Sequence, residues 1–340
     1  MTDLIVKSCG PMTTLQDRGR FGYQRFGVSP SGAMDMRALA LANALVGNAT
    51  DMAAIEFMNL GGAFTCEGGD LRLAVAGAGA TLSIEGHTVA PQTAALLREG
   101  ETAQVSPTRT GTFTYLAVGG GFAVAPQLGS LSLHLRSRLG GLNGEPLKAG
   151  DRLACAPDNS ADLFHDPQPL SEVEGPIRVM LGPQDDYFSD TGLRTFLEEE
   201  YTISPQADRM GLQLSGPQIE HARGFNIVSD GIVAGHIQVP GSGLPIVLMR
   251  DRQTAGGYPK IATVISADLN RFAQMRPGTK VRFTPVEREE AIAAAKAVHD
   301  WIETLAARLV PVRFSLTTEH LLSTNLIGGV VSATPEKPTL

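Results

Sequence analysis

Short apolar runs, each bounded by glycine, proline or polar residues, recur along most of the chain. The clearest are residues 71–76, 81–84, 94–97, 113–118, 177–181, 245–249 and 261–265. Runs of this length with turn-forming residues at both ends are typical of buried strands. Between residues 61 and 105 the apolar and polar positions alternate, which favours antiparallel pairing. The pattern therefore predicts a mainly β chain with many turns.

Helical spacing appears in residues 34–46, 191–200 and 287–309. Ser31 is a candidate N-cap for the first of these helices, with Asp35 in its first turn. The last segment is rich in alanine and carries an apolar stripe, formed by Ile292, Ala295, Val298 and Ile302. We expect that helix to pack on the outside of a barrel.

The length of 340 residues allows one large domain or two smaller ones. Residues 157–176 are polar and contain several prolines, which is typical of a boundary between lobes. The predicted division is an N-terminal β-rich lobe over 1–170, a second barrel lobe over 171–286, and a helix with a C-terminal extension over 287–340. An apolar stretch at 321–333 could add a strand or bind a partner.

Composition narrows the function classes. A net charge of −7 argues against a nucleic-acid-binding surface, which is usually basic. There is no apolar run of about twenty residues, so no membrane helix is predicted, and without a signal-peptide pattern the expected location is cytoplasmic. Cys9, Cys66 and Cys155 are far apart and lack C-x-x-C spacing, so neither a metal site nor a disulfide framework is predicted.

Residues 251–260 hold the densest polar cluster in the chain, between two predicted strands. Asp251 could accept N–H bonds from an amide, while Arg252 or Lys260 could neutralise a carboxylate or an oxyanion. The backbone amides of Gly256 and Gly257 could point at an oxygen. Such a set suits an N–C=O group. The competing interpretation is that the charged residues cap the turn and pair with each other.

Two other glycine-rich segments carry arginines. Residues 13–35 include Arg18, and residues 135–151 include Arg138 and Asn143. Guanidinium groups and free backbone amides suit carboxylate or phosphate. The competing interpretation is a solvated basic surface or an interface loop for the first segment, which that segment alone favours, and a hairpin with an arginine at its tip for the second. Asn43 lies on the first predicted helix, as a ligand contact or as a satisfied core amide.

These segments together resemble the carboxyltransferase-type family, which includes the C subunit of 5-oxoprolinase, KipA-like proteins and the carboxyltransferase part of urea carboxylase. The resemblance lies in residues 13–35, NALVGN at 43–48 with Ile55-Glu56-Phe57, and residues 135–151, 204–216 and 228–269. The chain departs from the family pattern at Leu142, Leu244, Arg250 and Ala255. The resemblance implies two cyclophilin-like β-barrel lobes with a few helices.

The resemblance further implies that the chain is the C subunit of an ATP-dependent 5-oxoprolinase. It would act with an A subunit and a KipI-like B subunit to convert 5-oxoproline to glutamate. In this interpretation Asp251, Tyr258 and Lys260 are catalytic. The substrate-binding candidates are Arg18, Asn43, Arg138, Asn143, Arg252, Gln253, Thr254, Gly256 and Gly257. ATP would be used by the complex. One alternative is a biotin-dependent carboxyltransferase component acting on urea or a related amide, although the chain has no A-M-K-M biotinylation motif. The other is a non-catalytic, KipA-like regulatory protein.

Overall fold

Three sheets carry most of the chain in the computed structural model, which describes residues 2–158, 162–168, 170 and 174–312. The strands of the first half are β1 (Asp3–Cys9), β2 (Thr14–Gln16), β3 (Ala54–Met58), β4 (Gly62–Glu67), β5 (Leu71–Ala76), β6 (Leu82–Ile84), β7 (His87–Thr88), β8 (Ala95–Leu97), β9 (Thr102–Val105), β10 (Phe113–Val118), β11 (Arg152–Ala154) and β12 (Phe164–His165). Those of the second half are β13 (Ile177–Leu181), β14 (Tyr201–Ala207), β15 (Gly211–Ser215), β16 (Asp230–Gly231), β17 (His236–Gln238), β18 (Ile246–Leu248), β19 (Ala255–Gly256), β20 (Lys260–Val264), β21 (Lys280–Val281), β22 (Phe283–Pro285) and β23 (Val310–Pro311).

The helices are α1 (Met36–Leu45), α2 (Asp190–Glu198), α3 (Ser266–Gln274), α4 (Arg288–Glu303) and α5 (Leu305–Arg308). Single 3₁₀ turns lie at Gln24–Phe26, Leu135–Ser137 and Asp185–Tyr187. The expected mainly β fold with a few helices is confirmed. No helix within the described ranges has both the length and the apolar character to cross a membrane.

The first lobe is a pair of sheets packed face to face. One has the strand order β11-β1-β4-β9-β6-β7 and the other β2-β3-β10-β5-β8. Alternation on β1 turns Leu4 and Val6 inward, where they join Phe57 and Phe64 in the core between the sheets. The rings of these two phenylalanines meet edge to face, with centroids 5.9 Å apart. The sandwich therefore has its own apolar core.

The second lobe is an eight-stranded sheet with the order β21-β14-β15-β18-β17-β20-β13-β22. Its edge strands β21 and β22 follow each other in the chain, so the sheet curls into a nearly closed barrel. Its core includes Ile203, Ile237 and Val247. The three large sheets thus divide between residues 3–154 and residues 177–285. The exact domain bounds stay a prediction, and the stretch 321–333 lies outside the described residues.

Helix α1 packs against β5 and β10, on the face of the sandwich that points away from its own core. Its N-cap is Asp35, whose Oδ1 accepts from Arg37 N at 3.0 Å and Ala38 N at 3.1 Å. The expectation that Ser31 caps this helix was wrong. Ser31 instead lies four residues before the N-cap, in a turn where its φ is +54°, and its buried hydroxyl has no hydrogen-bond partner among the described residues.

The late helix is divided and its apolar stripe is displaced. Helix α4 ends at Glu303 and the short α5 follows. Ile292 is 56% exposed, whereas Trp301 packs towards the core with Ile302. The guanidinium groups of Arg37 and Arg308 lie 4.7 and 4.8 Å from the centre of the Trp301 ring. These cation–π contacts fix the helix by its C-terminal end, so the predicted stripe is only partly used.

The end of helix α3 is bonded to the first lobe through Gln274. Its Oε1 accepts from Thr112 N and Phe113 N, both at 2.9 Å. Its Nε2 donates to Asp35 Oδ2 and Phe113 O, also at 2.9 Å. A Cβ at Gly111 would lie 2.5 Å from Gln274 Oε1, so only glycine leaves room for this contact. One side chain thus satisfies four groups across the lobe interface.

We expect Gln274→Leu to lower the free energy of unfolding by on the order of 3 kcal/mol, because it leaves these groups without partners. The measurement is urea unfolding followed by circular dichroism. The control is Gln104→Leu on the exposed face of β9, which should change stability by less than about 0.5 kcal/mol. Equal effects of the two substitutions would contradict this role for Gln274.

Candidate active site

A buried ion cluster joins the two lobes beneath the polar loops. Glu56 on β3 and Tyr115 on β10 are cross-strand partners, so their side chains share one face, and Tyr115 Oη donates to Glu56 Oε2 at 2.6 Å. Glu56 Oε1 accepts from Arg209 Nη1. Arg209 Nε and Nη2 also donate to Asp251 Oδ2 at 2.8 Å and Oδ1 at 3.0 Å, and Nη2 reaches Gly32 O at 2.8 Å. One guanidinium therefore links both lobes.

Electrostatics inside this cluster favour its charged form. Burial by itself would lower the pKa of Arg209, but the charges of Asp251 and Glu56 more than offset it and the pKa is raised. Burial and then the charge of Glu56 raise the pKa of Tyr115 well above its usual value. Tyr115 therefore stays a neutral donor. Asp251, predicted as catalytic, is 6% exposed and uses both carboxylate oxygens on Arg209.

The glycine-rich segments singled out in the sequence meet at one end of the second lobe. The contacts that join them are Gln24 Nε2 to Ile232 O at 2.6 Å, Ser29 Oγ to Arg250 O at 3.1 Å, and His134 Nε2 to Asp251 O at 3.3 Å. Their close approach needs bare backbone. A Cβ at Gly32, where φ is +97°, would lie 2.8 Å from Arg18 O. Residues far apart in the chain are thereby placed around the loop 251–260.

Lys260 is fully buried at the start of β20. Its Nζ donates to Asp230 Oδ2 at 3.0 Å, and Gln184 Nε2 donates to the same oxygen at 3.2 Å. Lys260 is the cross-strand partner of Gln238 on β17, so the two side chains project from the same face of the sheet. His236 lies on β17 as well. A buried cation, a histidine and an amide are thus neighbours at this end of the barrel.

A cavity of about 500 Å³ opens beside this group. Two predicted residues, Gln253 and Tyr258, contribute to its wall. Other polar residues that line it are Arg136, Gln206, Asp208, Gln213 and Gln238. A cavity of this size accommodates a small metabolite, and the few polar groups could orient it.

A larger cavity, of about 1000 Å³, lies between the lobes at helices α3 and α4. Its charged groups largely satisfy one another. Arg178 Nη2 is 2.7 Å from Asp268 Oδ1, and Arg271 Nη2 is 3.2 Å from Asp268 Oδ2. We therefore place the candidate site at the smaller cavity, where the loop 251–260 contributes side chains.

Four predicted binding residues lie elsewhere. Arg18 is largely exposed and pairs with Asp51 at 3.4 Å. Arg138 is 75% exposed in its side chain and lies 3.7 Å from Glu145. Asn143 is exposed, whereas Asn43 is fully buried. Asn43 Nδ2 donates to Met52 O at 2.7 Å, and its Oδ1 accepts from Asn48 Nδ2 at 3.0 Å, which matches a satisfied core amide.

The remaining predicted residues shape the loop itself. Thr254 O accepts from Ile232 N at 3.0 Å, and Gly257 O accepts from Ile227 N at 2.9 Å. A Cβ at Gly256 would lie 2.5 Å from both Gln238 Nε2 and Ile232 Cδ1, so this glycine makes room for the Gln238 amide. Burial and then the charge of Arg250 lower the pKa of Arg252 to about 10, which leaves it positive at neutral pH.

Sequence reasoning missed Arg136 and Gln238. Gln238 stands in the apolar stretch HIQVP, where a lone amide among strand residues is the only signal. Arg136 lies two residues before the predicted Arg138, but Arg138 has φ +50° and its side chain pairs with Glu145 instead. Among the described residues, no group of three or more His, Cys, Asp or Glu side chains could hold a metal ion.

Comparison with known proteins identifies the family. Residues 26–285 match the carboxyltransferase domain, subdomains A and B. The chain belongs to this carboxyltransferase domain family. The matched region covers the first lobe from residue 26 onwards and the whole of the second lobe, and it includes the loop 251–260 and the residues that line the smaller cavity.

Relatives of this carboxyltransferase domain fall into two groups. The 5-oxoprolinase C subunit of Haemophilus influenzae is 38% identical over 294 residues, which cover 86% of this chain and 93% of the relative. The 5-oxoprolinase C subunit of Escherichia coli is 35% identical over 308 residues, covering 90% and 98%. The crystal structure of the Kluyveromyces lactis urea amidolyase aligns with a TM-score of 0.82 at 26% identity. The alignment covers 91% of this chain and 21% of that protein.

We expect Arg209→Met to lower the free energy of unfolding by about 3 to 5 kcal/mol, since it leaves Glu56 and Asp251 buried without a cation. The measurement is denaturant unfolding at neutral pH. Arg18→Met is the matched control, because its exposed pair with Asp51 should contribute less than about 1 kcal/mol. A loss below about 1 kcal/mol for Arg209→Met would show that the cluster does not hold the lobes.

His236 should make stability depend on pH. Burial, followed by the charges of Lys260 and Arg252, lowers its pKa to about 4. An unfolded histidine titrates near 6.5. His236 therefore has no effect of this kind above about pH 6.5. As the pH falls from 6.5 towards 4, the free energy of unfolding decreases, because the unfolded chain takes up the proton first.

Between pH 7 and pH 5 the free energy of unfolding should fall by about 2 kcal/mol less in His236→Asn than in the wild type. Asparagine is chosen because its Oδ1 can replace His236 Nδ1, which accepts from Val233 N at 3.3 Å. Chemical unfolding at both pH values measures the difference. His87→Asn, on the exposed strand β7, should keep the wild-type pH dependence. An unchanged slope in His236→Asn would refute the assignment.

Proposed function

We propose that this chain is the C subunit of an ATP-dependent 5-oxoprolinase and that it works in a complex with the A and B subunits of that enzyme. The observation that carries the proposal is the similarity to two proteins that bear the name of this C subunit, over 93% and 98% of their lengths. The chain therefore corresponds to nearly all of each relative. A small cavity with amide, phenol and guanidinium side chains in its wall supports a small amide substrate.

The proposed reaction opens a lactam. Its C–N bond breaks, oxygen from water enters the new carboxyl group, and the nitrogen leaves as an amine. In the ATP-coupled route the carbonyl oxygen attacks the γ-phosphorus and ADP leaves. Removal of the ring N–H proton makes that oxygen a better nucleophile, whereas a cation or hydrogen-bond donor at the oxygen makes the carbon a better electrophile for water. In this chain the buried cation Lys260 and the Tyr258 hydroxyl are the proposed groups for polarisation and proton handling. Because Arg209 occupies both oxygens of Asp251, we assign Asp251 a positioning role.

We assign the ATP chemistry to the complex, with the other two proteins of the assembly as the source of the nucleotide site. The triple glycine at 119–121 lacks the Lys-Ser/Thr of a phosphate-binding loop. The position where Gly119 would carry a Cβ is occupied by the Asp158 carboxylate, which Arg72 holds at 2.6 Å. An acid at this turn is unfavourable for a phosphate.

A second candidate function is carboxyl transfer to urea or a related amide, with biotin supplied by another polypeptide. The TM-score of 0.82 with a urea amidolyase favours keeping it. The same cavity would then receive an amide acceptor, and no ATP would be needed on this chain. Binding without turnover, as in a KipA-like regulatory protein, is the third candidate and predicts that Lys260 is dispensable.

The chain is co-purified with its candidate B subunit, and the A subunit is then added. We expect this preparation to release phosphate and glutamate from ATP and 5-oxoproline. Lys260→Met should reduce this turnover by about 100-fold or more, as expected for loss of a group that stabilises developing charge. The matched control is Lys148→Met, because Lys148 is exposed and lies 3.6 Å from Glu145.

Co-elution of all components by size-exclusion chromatography shows that each variant complex is intact. No turnover by an intact wild-type complex would reject the 5-oxoprolinase proposal. Carboxylation of urea by the same preparation, given a biotinylated carrier, would favour the second function. Full activity of Lys260→Met would remove Lys260 from the chemistry.

A further inference from the structure

The larger cavity lies beneath an apolar stripe of helix α4. The stripe consists of residues at the spacing i, i+3, i+4 and i+7, and all of them line the cavity: Ala294, Ala297, Val298 and Trp301. A stripe with this spacing normally packs against a core. In this chain none of the α4 residues is buried. The stripe instead faces a space of about 1000 Å³.

The first lobe contributes an apolar wall to the same cavity. That wall includes Ala78, Ala80 and Val89, and Met275, which follows α3, lines the cavity as well. Water gains few hydrogen bonds in a space with such walls, and cavities of this kind bind apolar molecules. The cavity therefore favours a ligand with an apolar body.

One buried amide in the wall has a donor without a partner. Asn270 on α3 is 6% exposed and lines the cavity. Its Oδ1 accepts from Met36 N at 2.9 Å, which fixes the orientation of the side chain. Its Nδ2 has no acceptor among the described residues, and this nitrogen keeps accessible surface. A buried donor that is accessible and unpaired is available to an acceptor atom of a ligand.

The charges around the cavity favour an anionic ligand. Among the described residues, four arginines and three acidic residues line it. Arg178 and Arg271 both pair with Asp268. Arg276 makes no ion pair with a described residue, and its guanidinium donates to two main-chain oxygens at 2.8 Å. An excess of guanidinium groups attracts a carboxylate.

We infer that the larger cavity is a second ligand site, which binds a small apolar carboxylic acid. The hydrocarbon part of the ligand lies along the α4 stripe, and Asn270 Nδ2 donates to a carboxylate oxygen. The inference does not rest on the proposed function, because neither the loop 251–260 nor the smaller cavity shares a residue with this site. A ligand here contacts both lobes and should stabilise their arrangement.

The probe is octanoate, an eight-carbon carboxylate, added to the full chain. Trp301 is the only tryptophan in the chain and lines the cavity, so its fluorescence reports binding there. We expect a saturable change in this fluorescence, and a rise in Tm of about 2 °C at ten times the Kd. Acetate lacks the hydrocarbon chain, and octylammonium has a cationic head without an acceptor oxygen. Neither should give these changes.

Two variants locate the probe. Asn270→Asp keeps an oxygen for Met36 N but replaces the amide donor by a carboxylate oxygen, so it should weaken octanoate binding by about tenfold or more. Ala297→Phe, at an exposed position of α4, places a ring in the cavity and should abolish binding. His299→Phe is the control, because His299 is exposed and lies outside the cavity wall. It should bind octanoate as the wild type does.

Four results would overturn the inference. Octanoate binding by neither fluorescence nor Tm in the wild type would reject the site, and unchanged binding in Ala297→Phe would place the probe elsewhere. Equal affinities of the wild type and Asn270→Asp, or of octanoate and octylammonium, would reject the carboxylate contact. Binding by a chain that ends at residue 312, but not by the full chain, would assign the cavity to residues 313–340.

Discussion

The guanidinium of Arg209 is the group on which the arrangement of the two lobes depends. It lies between Glu56 of the sandwich and Asp251 of the barrel, and all three side chains are buried. Buried charges are tolerated only when they are paired and hydrogen-bonded, so the Glu56 carboxylate of the sandwich depends on Arg209 of the barrel, which also neutralises Asp251 within its own lobe. Asp251 is the first residue of the loop 251–260. Its pairing with Arg209 therefore also positions the loop that contributes Gln253 and Tyr258 to the wall of the smaller cavity.

The cluster explains why one motif can serve both structure and chemistry. In sequence, Asp251 and Arg252 look like equivalent members of a polar loop. In the fold, Asp251 faces Arg209, whereas Arg252 lies near His236 and contributes to lowering its pKa. Lys260, at the far end of the loop, returns to the sheet beside Gln238. The loop therefore anchors the lobe interface at its first residue and contributes Gln253 and Tyr258 to the wall of the candidate site.

Much of the fold was predictable because local patterns decide it. The strands Leu71–Ala76, Phe113–Val118 and Ile177–Leu181 occur where the apolar runs predict them. The site was harder, because its members are brought together by pairings that no local pattern encodes. Gln238 meets Gly256 only through the order of strands in the barrel, and Asn43 is removed from the site by Asn48 and Met52. The residue types in the sequence indicated which groups could form a site, but they did not indicate which partner each polar group would have in the fold.

The position of Gln274 has a consequence for how the chain is made. Thr112 N and Phe113 N belong to the first lobe, but the oxygen that they share lies more than 160 residues later in the chain. Arg209, which neutralises Glu56, also follows the whole sandwich in sequence. A growing polypeptide that has emerged only as far as β11 therefore lacks the groups that complete its own interior. Its final packing must wait until α3 has left the ribosome, although the core between the two sandwich sheets can assemble earlier.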